Sequence, residues 1–167
     1  SSNLSSSVAD HSKRRKVPPT LYVVTAFGKA IETVESTAEL RELIVFLLKT
    51  TSALNSLGIT HRDIRLQNIV RNTATGELGL IDWDDSVKGL KNLPNADVAH
   101  LDQQSHALEM FIPGQTHDHT VDLWSVGFLI QQNPAHANNA LTSLMGELLK
   151  PASQRPAITA ALAMLQH

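Results

Sequence analysis

A chain of 167 residues suits one domain around a single hydrophobic core. With 42% hydrophobic and 18% charged residues it is too apolar for a disordered chain, and 14 basic against 16 acidic residues leave a net charge of only −2, which gives no field suited to specific nucleic-acid binding. The absence of cysteine excludes disulfides, thiolate zinc sites, iron–sulfur clusters and thiol catalysis, and fits a reducing, intracellular compartment, cytoplasm or nucleus.

Residues 1–19 read as a flexible segment, rich in serine and then basic at Lys13-Arg14-Arg15-Lys16 before Pro18-Pro19. The basic run reads first as solvated charge, and could serve as a nuclear-import signal or a phosphate contact. The N-terminus has no initiator Met and no apolar core, so no signal peptide is expected. The longest apolar runs, residues 43–48 and 126–130, are far short of the roughly 20 residues of a membrane helix, so no membrane contact is expected.

Residues 21–25 (Leu-Tyr-Val-Val-Thr) predict a strand that ends before Gly28. Ser36-Thr37-Ala38-Glu39 has capping-box form, and Leu40, Leu43, Ile44, Leu47, Leu48, Thr51 and Leu54 follow at helical spacing, predicting a long half-buried helix to Gly58. Residues 69–71 and 78–81 flank a turn-rich stretch and predict a hairpin, with Asp82 leaving its second strand. Residues 83–119 show no sustained period and predict a long functional loop. Residues 121–130 are apolar nearly all round and predict a fully buried helix; residues 140–149 and 158–165 predict two more, the last opening near Pro156.

The chemistry-bearing residues cluster at His61-Arg62-Asp63-Ile64-Arg65-Leu66-Gln67-Asn68 and at Leu80-Ile81-Asp82-Trp83-Asp84-Asp85. Phosphoryl transfer asks little covalent chemistry of a protein: a carboxylate at the attacking hydroxyl, a cation at the γ-phosphate, and oxygen ligands for Mg²⁺. Asp63, Arg65, Asn68 and Asp82 supply these groups. Asn68 opens the hairpin and Asp82 closes it, so a tight hairpin would return both oxygens to one metal.

The first cluster resembles the catalytic loop of protein kinases. Ser105-His106-Ala107-Leu108-Glu109 resembles the Ala-Pro-Glu that closes a kinase activation segment, Asp122-Leu123-Trp124-Ser125-Val126-Gly127 resembles the Asp-x-Trp-Ser-x-Gly of the central helix, and Arg155-Pro156 resembles the late Arg-Pro whose arginine pairs with the closing glutamate. The chain thus resembles the protein-kinase superfamily over nearly all of residues 20–167, with the kinase-like domains of crinkler-type effectors and similar fungal kinases as the best match in detail.

That resemblance implies a mainly α fold with small β-hairpins, a kinase C-lobe with a hinge strand at 21–27, a catalytic loop at 61–68 and an activation segment at 82–109. It implies ATP and Mg²⁺ as cofactors, with adenine against Ala26 and Phe27 above Val70 and the metal on Asn68 and Asp82. His61, Arg62, Glu109, Asp122 and Arg155 become structural, with Glu109 and Arg155 a largely buried ion pair and Asp122 an acceptor for backbone N–H groups of the His61-Arg62 loop. A protein is the implied substrate, and secretion as an effector is implied if a leader lies upstream.

Three departures bear on function. No glycine-rich loop, strand lysine or partner glutamate is found, so the N-lobe is expected to be lacking or truncated, or supplied upstream or by a partner. The usual Asp-Phe-Gly is Asp82-Trp83-Asp84, and Ala-Pro-Glu is Ala107-Leu108-Glu109. The readings that remain are a Ser/Thr protein kinase whose isolated lobe is slow or inactive, a pseudokinase used for binding, and a small-molecule kinase of the aminoglycoside-phosphotransferase type, whose Ile-Asp-Trp is matched by residues 81–83. His100, His106, His117 and His119 are not read as metal ligands, because no further ligand stands at recognisable spacing, and the pair His117-Asp118-His119 is read as solvated or capping.

Overall fold

The structure, a computed structural model, describes residues 28–95 and 101–166. The predicted hinge strand with Ala26 and Phe27, the basic run at 13–16 and His100 lie outside these residues.

Helix α1, Thr37–Ser56, begins where Ser36 Oγ accepts the N–H of Glu39 at 3.1 Å. The reciprocal bond is displaced by one residue: the Glu39 carboxylate accepts the N–H of Glu35, not of Ser36. The predicted apolar stripe is the buried face, and Leu40, Leu43, Ile44, Leu47 and Leu48 are fully buried. At about 1.5–3 kcal/mol per buried aliphatic side chain, this face outweighs the modest helix propensity of the chain around Thr50 and Thr51. The helix stops at Leu57, and Gly58 turns the chain with φ +68°, a conformation glycine adopts without a Cβ penalty.

The strands are short. β1 (Lys29–Ala30), β3 (Ile69–Arg71) and β4 (Leu78–Leu80) form an antiparallel sheet in the order β1-β3-β4, with Ile69 opposite Leu80 and Arg71 opposite Leu78. The turn of the β3–β4 hairpin is held by Asn72, whose Oδ1 accepts the N–H groups of Ala74 and Thr75. β2 (Ile59–Thr60) pairs with β5 (Val87–Lys88). Residues 83–119 are therefore less irregular than their sequence suggests: β5, a Leu93–His117 bridge and a 3-10 turn at Leu108–Met110 divide the segment, because its backbone pairs with neighbours that show no local period.

Helices α2 (Thr120–Gln131) and α3 (Asn139–Leu148) pack closely, and a Cβ at Gly127 would lie 2.8 Å from Leu148 Cβ, so the approach requires glycine. α2 is not buried all round. Trp124 and Phe128 are half-buried and stack on each other at 5.0 Å between centroids, which shields apolar surface that faces outward. α4 spans Ile158–Ala163 and ends earlier than predicted, although Leu165 beyond it remains buried. The main core joins α1, α2 and α3 with Ile64, Leu66 and Ile69 beside the loop that carries Asp63. A second, smaller cluster of Leu101, Ala107, Met110, Phe111 and Val121 anchors the segment that precedes α2. Among the described residues, no helix is long and apolar enough to cross a membrane.

Candidate functional site

The loop 61–68 leaves β2 and returns through a 3-10 turn at Leu66–Asn68 directly into β3. Asp122, fully buried at the start of α2, accepts the N–H of His61 at 2.9 Å and of Arg62 at 2.8 Å. These bonds hold Arg62 at φ +73°, a left-handed conformation that is uncommon for a residue with a long side chain. Burial pushes the Asp122 carboxyl up to about 6, against the pull of the two N–H groups. Asp122→Asn turns an NH₂ toward one of those donors and is expected to lower stability by about 1–3 kcal/mol, measurable by chemical denaturation.

His61 is buried and satisfied as a neutral ring. Its Nδ1 accepts the N–H of Asp63 at 3.3 Å, its Nε2 donates to the Ile81 carbonyl at 3.2 Å, and Trp83 lies against it at 4.6 Å. Burial holds it below the ordinary histidine value.

Asp63 is nearly enclosed, at 2% exposure. Asn68 Nδ2 donates to its Oδ2 at 2.8 Å and to its backbone carbonyl at 2.9 Å, and the half-exposed Arg65 guanidinium meets Oδ2 at 3.1 Å. On the other oxygen, Oδ1, stands His106 Nε2 at 3.0 Å. Burial pushes the Asp63 carboxyl up, but the hydrogen bond from His106, the Arg65 charge and the Asn68 amide more than offset it, holding the group below the usual carboxylate value. Burial likewise pulls His106 down, and the bonds to Asp63 and to the Asp102 carbonyl more than reverse it, so this imidazole lies above the ordinary value.

The sign of the pH dependence follows. A raised histidine stabilises fully below the unfolded value of 6.5 and loses its contribution as pH rises through the folded one; a depressed aspartate stabilises fully above 3.8 and loses it as pH falls through the folded one. The stability that the Asp63–His106 pair adds is therefore expected to be greatest between pH 3.8 and 6.5 and to shrink on both sides, read as the difference in melting temperature between the parent chain and His106→Leu across pH.

At the mouth of the hairpin, the N–H of Ile81 donates to the Asn68 carbonyl at 2.9 Å, which puts Asp82 one residue from the partner of Asn68. Asp82 is exposed at φ +66°, a left-handed position that aspartate tolerates better than most residues. Val70 is buried in the middle strand of the sheet. Farther away, Arg155 Nη1 pairs with Glu109 Oε1, with the Arg155 side chain buried and Glu109 more open.

The arrangement therefore gathers Asp63, Arg65 and Asn68 into direct contact and brings Asp82 alongside through the hairpin. The residue that the sequence reading missed is His106, noted there only as a histidine without the partners of a metal site. Its one signal was its place three residues before Glu109, within the segment that the resemblance folds over the loop. The solvated or capping reading of the His117-Asp118-His119 pair needs correction: His117 is buried in the Leu93 bridge, and His119 precedes α2 without a side-chain cap. A cavity of about 750 Å³ is lined by residues of β1, the chain after it, α1 and the β3–β4 hairpin, and by none of the loop 61–68. A smaller one of about 340 Å³ lies beside Arg65 and Gln67, with Ser105, Ser125, Phe128 and Gln132 on its walls. It adjoins the candidate chemistry and is the more relevant of the two.

Residues 14–100, just over half of the chain, match the phosphotransferase enzyme family. The chain belongs to that family. Its relatives include Crinkler effector protein 8 of Phytophthora infestans, 34% identical over 138 residues, which cover 77% of this chain and 22% of that protein. Glycogen synthase kinase 1 of Pyricularia oryzae is 30% identical over 117 residues, 70% of this chain and 29% of the relative. A probable casein kinase II subunit alpha homolog of Encephalitozoon cuniculi (strain GB-M1) is 32% identical over 90 residues, 52% of this chain and 27% of the relative. The domain is protein-kinase-like, and the chain spans about a quarter of the length of these relatives.

Proposed function

We propose that this phosphotransferase domain is the C-terminal lobe of a Ser/Thr protein kinase, which moves the γ-phosphate of ATP to a hydroxyl of a protein substrate. The observation that carries this reading is the Asp63 carboxylate, held by Asn68 and Arg65 on one oxygen beside a hairpin that ends in Asp82. Asp63 orients the attacking hydroxyl and accepts its proton, and Arg65, two residues on, neutralises the transferred phosphoryl group. Arginine here keeps the charge that lysine has in most kinases and adds a bidentate grip on phosphate oxygens.

The residues at the hairpin mouth fit a divalent cation. Both amide hydrogens of Asn68 are directed at Asp63, which leaves the side-chain oxygen as its ligand face, and Asp82, which follows the residue bonded to the Asn68 carbonyl, offers an exposed carboxylate. Two protein oxygens suit Mg²⁺, which completes its shell with phosphate and water; among the described residues no cluster of three acidic or histidine ligands offers a closed alternative. When bound, the ion would neutralise charge on the β- and γ-phosphates. Asp82→Ala is expected to weaken nucleotide binding about tenfold or more in the presence of Mg²⁺, and to change it little when Mg²⁺ is removed by chelation, measured by calorimetry. Equal affinities with Mg²⁺ present would overturn the ligand assignment.

A second reading, transfer to a small alcohol or aminoglycoside, is consistent with the family match over residues 14–100 and draws on Ile81-Asp82-Trp83. Against it stands the Glu109–Arg155 pair, which the resemblance to protein kinases assigns to the anchoring of a protein-substrate segment. The deciding assay gives the longest natural form of the protein labelled ATP, a mixed protein substrate and, separately, small-alcohol and aminoglycoside acceptors. Labelled protein is expected. Label on small acceptors alone would replace the proposal with the second reading, and no transfer from a form with a complete N-lobe would leave a binding module. The intracellular setting with delivery as an effector, suggested by the crinkler relative, belongs to the same proposal.

A further inference from the structure

His106 lies 43 residues from Asp63 in sequence, yet it is buried against it at 3% exposure. Its two ring nitrogens both face oxygen. Nδ1 is 2.7 Å from the Asp102 carbonyl and 3.2 Å from Ser105 Oγ, and Nε2 is 3.0 Å from Asp63 Oδ1. A carbonyl and a carboxylate can only accept, so whichever way the Ser105 hydroxyl turns, the 2.7 Å approach of Nδ1 to the Asp102 carbonyl calls for a hydrogen on that nitrogen. A neutral imidazole has one N–H and would leave a lone pair against one of these acceptors. The imidazolium, with two, satisfies both sides.

The surroundings are consistent with that charge. The Asp63 carboxylate faces the ring from the loop 61–68, with the Arg65 guanidinium beyond it as the opposing charge. On its own segment the ring meets the Asp102 backbone carbonyl, while the Asp102 carboxylate is turned back to the N–H of Gln104. The ring of Phe111 meets it edge-on at 6.3 Å. The balance of these groups raises the histidine above its ordinary value despite burial.

We propose that His106, carrying both ring protons, is a positioning residue that holds Oδ1 of Asp63 while Asn68 and Arg65 hold Oδ2, fixing the remaining lone pair of the carboxylate toward the substrate hydroxyl. A carboxylate offers about four lone-pair directions, and three are taken by these donors. The proposal rests on the phosphotransferase reading for its consequence in rate, but the contact itself does not. Because Nδ1 stays protonated against the Asp102 carbonyl, loss of the second proton at high pH removes the hydrogen from Nε2 and sets its lone pair against Oδ1. The carboxylate then loses its anchor. Activity should fall on the alkaline side with the titration of His106.

The test has two arms. In the 167-residue chain, ¹⁵N-detected NMR of the histidine rings should show His106 doubly protonated above the pH at which an ordinary histidine is half-neutral, and Asp63→Asn should bring its titration down to or below that pH. A His106 ring that is neutral at pH 6, or one whose titration ignores Asp63→Asn, would overturn the pair. In the longest natural form, His106→Leu should lower kcat on the order of a hundredfold, the scale of a catalytic group displaced by about an ångström, with KM for ATP unchanged. His106→Gln, which offers an N–H to Oδ1 without a titratable proton, should restore most of that rate and remove the alkaline fall. Full activity in His106→Leu, or an alkaline limb that persists in His106→Gln, would overturn the positioning role. A parent enzyme silent on every acceptor would overturn the phosphotransferase reading and the rate consequence with it, leaving the ring spectra to decide the contact.

Discussion

Asp63→Asn is expected to lower phosphotransfer by about 10² to 10⁴-fold, the range attributed to a positioned general base, while nucleotide affinity stays within a factor of about two. Asparagine keeps the size and planarity of the side chain. It cannot take a proton, and its NH₂ must face either the donors on Oδ2, Asn68 and Arg65, or His106 on Oδ1. The variant therefore loses both the acceptor and part of its alignment, so kcat should fall far more than KM for either substrate. Single-turnover transfer from labelled ATP measures the chemical step directly. An undiminished rate would remove Asp63 from the base role, and a loss confined to KM would make it a binding residue.

The parts of this site that are legible in sequence are those set by local spacing. Asp63, Arg65 and Asn68 occur within six positions, and the hairpin that follows is announced by its turn residues, so its register carries Asp82 back beside Asn68 with no long-range information. The stripe from Leu40 to Leu54 is equally local, and it became the buried face of α1. What sequence does not reveal depends on contacts between distant segments. The Asp63–His106 contact spans 43 residues, and nothing within the intervening stretch encodes a distance. The left-handed backbone at Arg62 is imposed by the Asp122 carboxylate, 60 residues away, against the preference of arginine itself. Trp124 and Phe128 read as core by composition, yet both are only half-buried: Trp124 packs against the small cluster before α2, a contact made by a distant segment, and stacks on Phe128.

Glu109→Ala is expected to destabilise the chain by about 3 kcal/mol, the lower end of the range for breaking one partner from a buried ion pair. The lower end applies for two reasons. Glu109 itself retains 23% side-chain exposure, so water already screens part of the attraction, and Arg155 keeps other acceptors after the loss: the Thr120 carbonyl at 3.2 Å, Thr120 Oγ1 at 3.3 Å and the Lys150 carbonyl at 2.9 Å. The effect remains large because the Arg155 side chain is only 2% exposed, and no neutral acceptor replaces a carboxylate as the counter-charge of a buried guanidinium. For a domain of this size the loss corresponds to a fall of roughly 6–12 °C in melting temperature. Glu109→Gln, which keeps an acceptor oxygen without the charge, should fall between the variant and the parent. The consequence reaches the site through packing, since Glu109 lies between Ala107 and Met110, both fully buried in the small cluster that seats His106. Amide exchange at residues 105–111 should therefore quicken in Glu109→Ala before it does in α1, whose core face does not touch the pair. A melting temperature within about a degree of the parent's would show the pair to be worth no more than an exposed one.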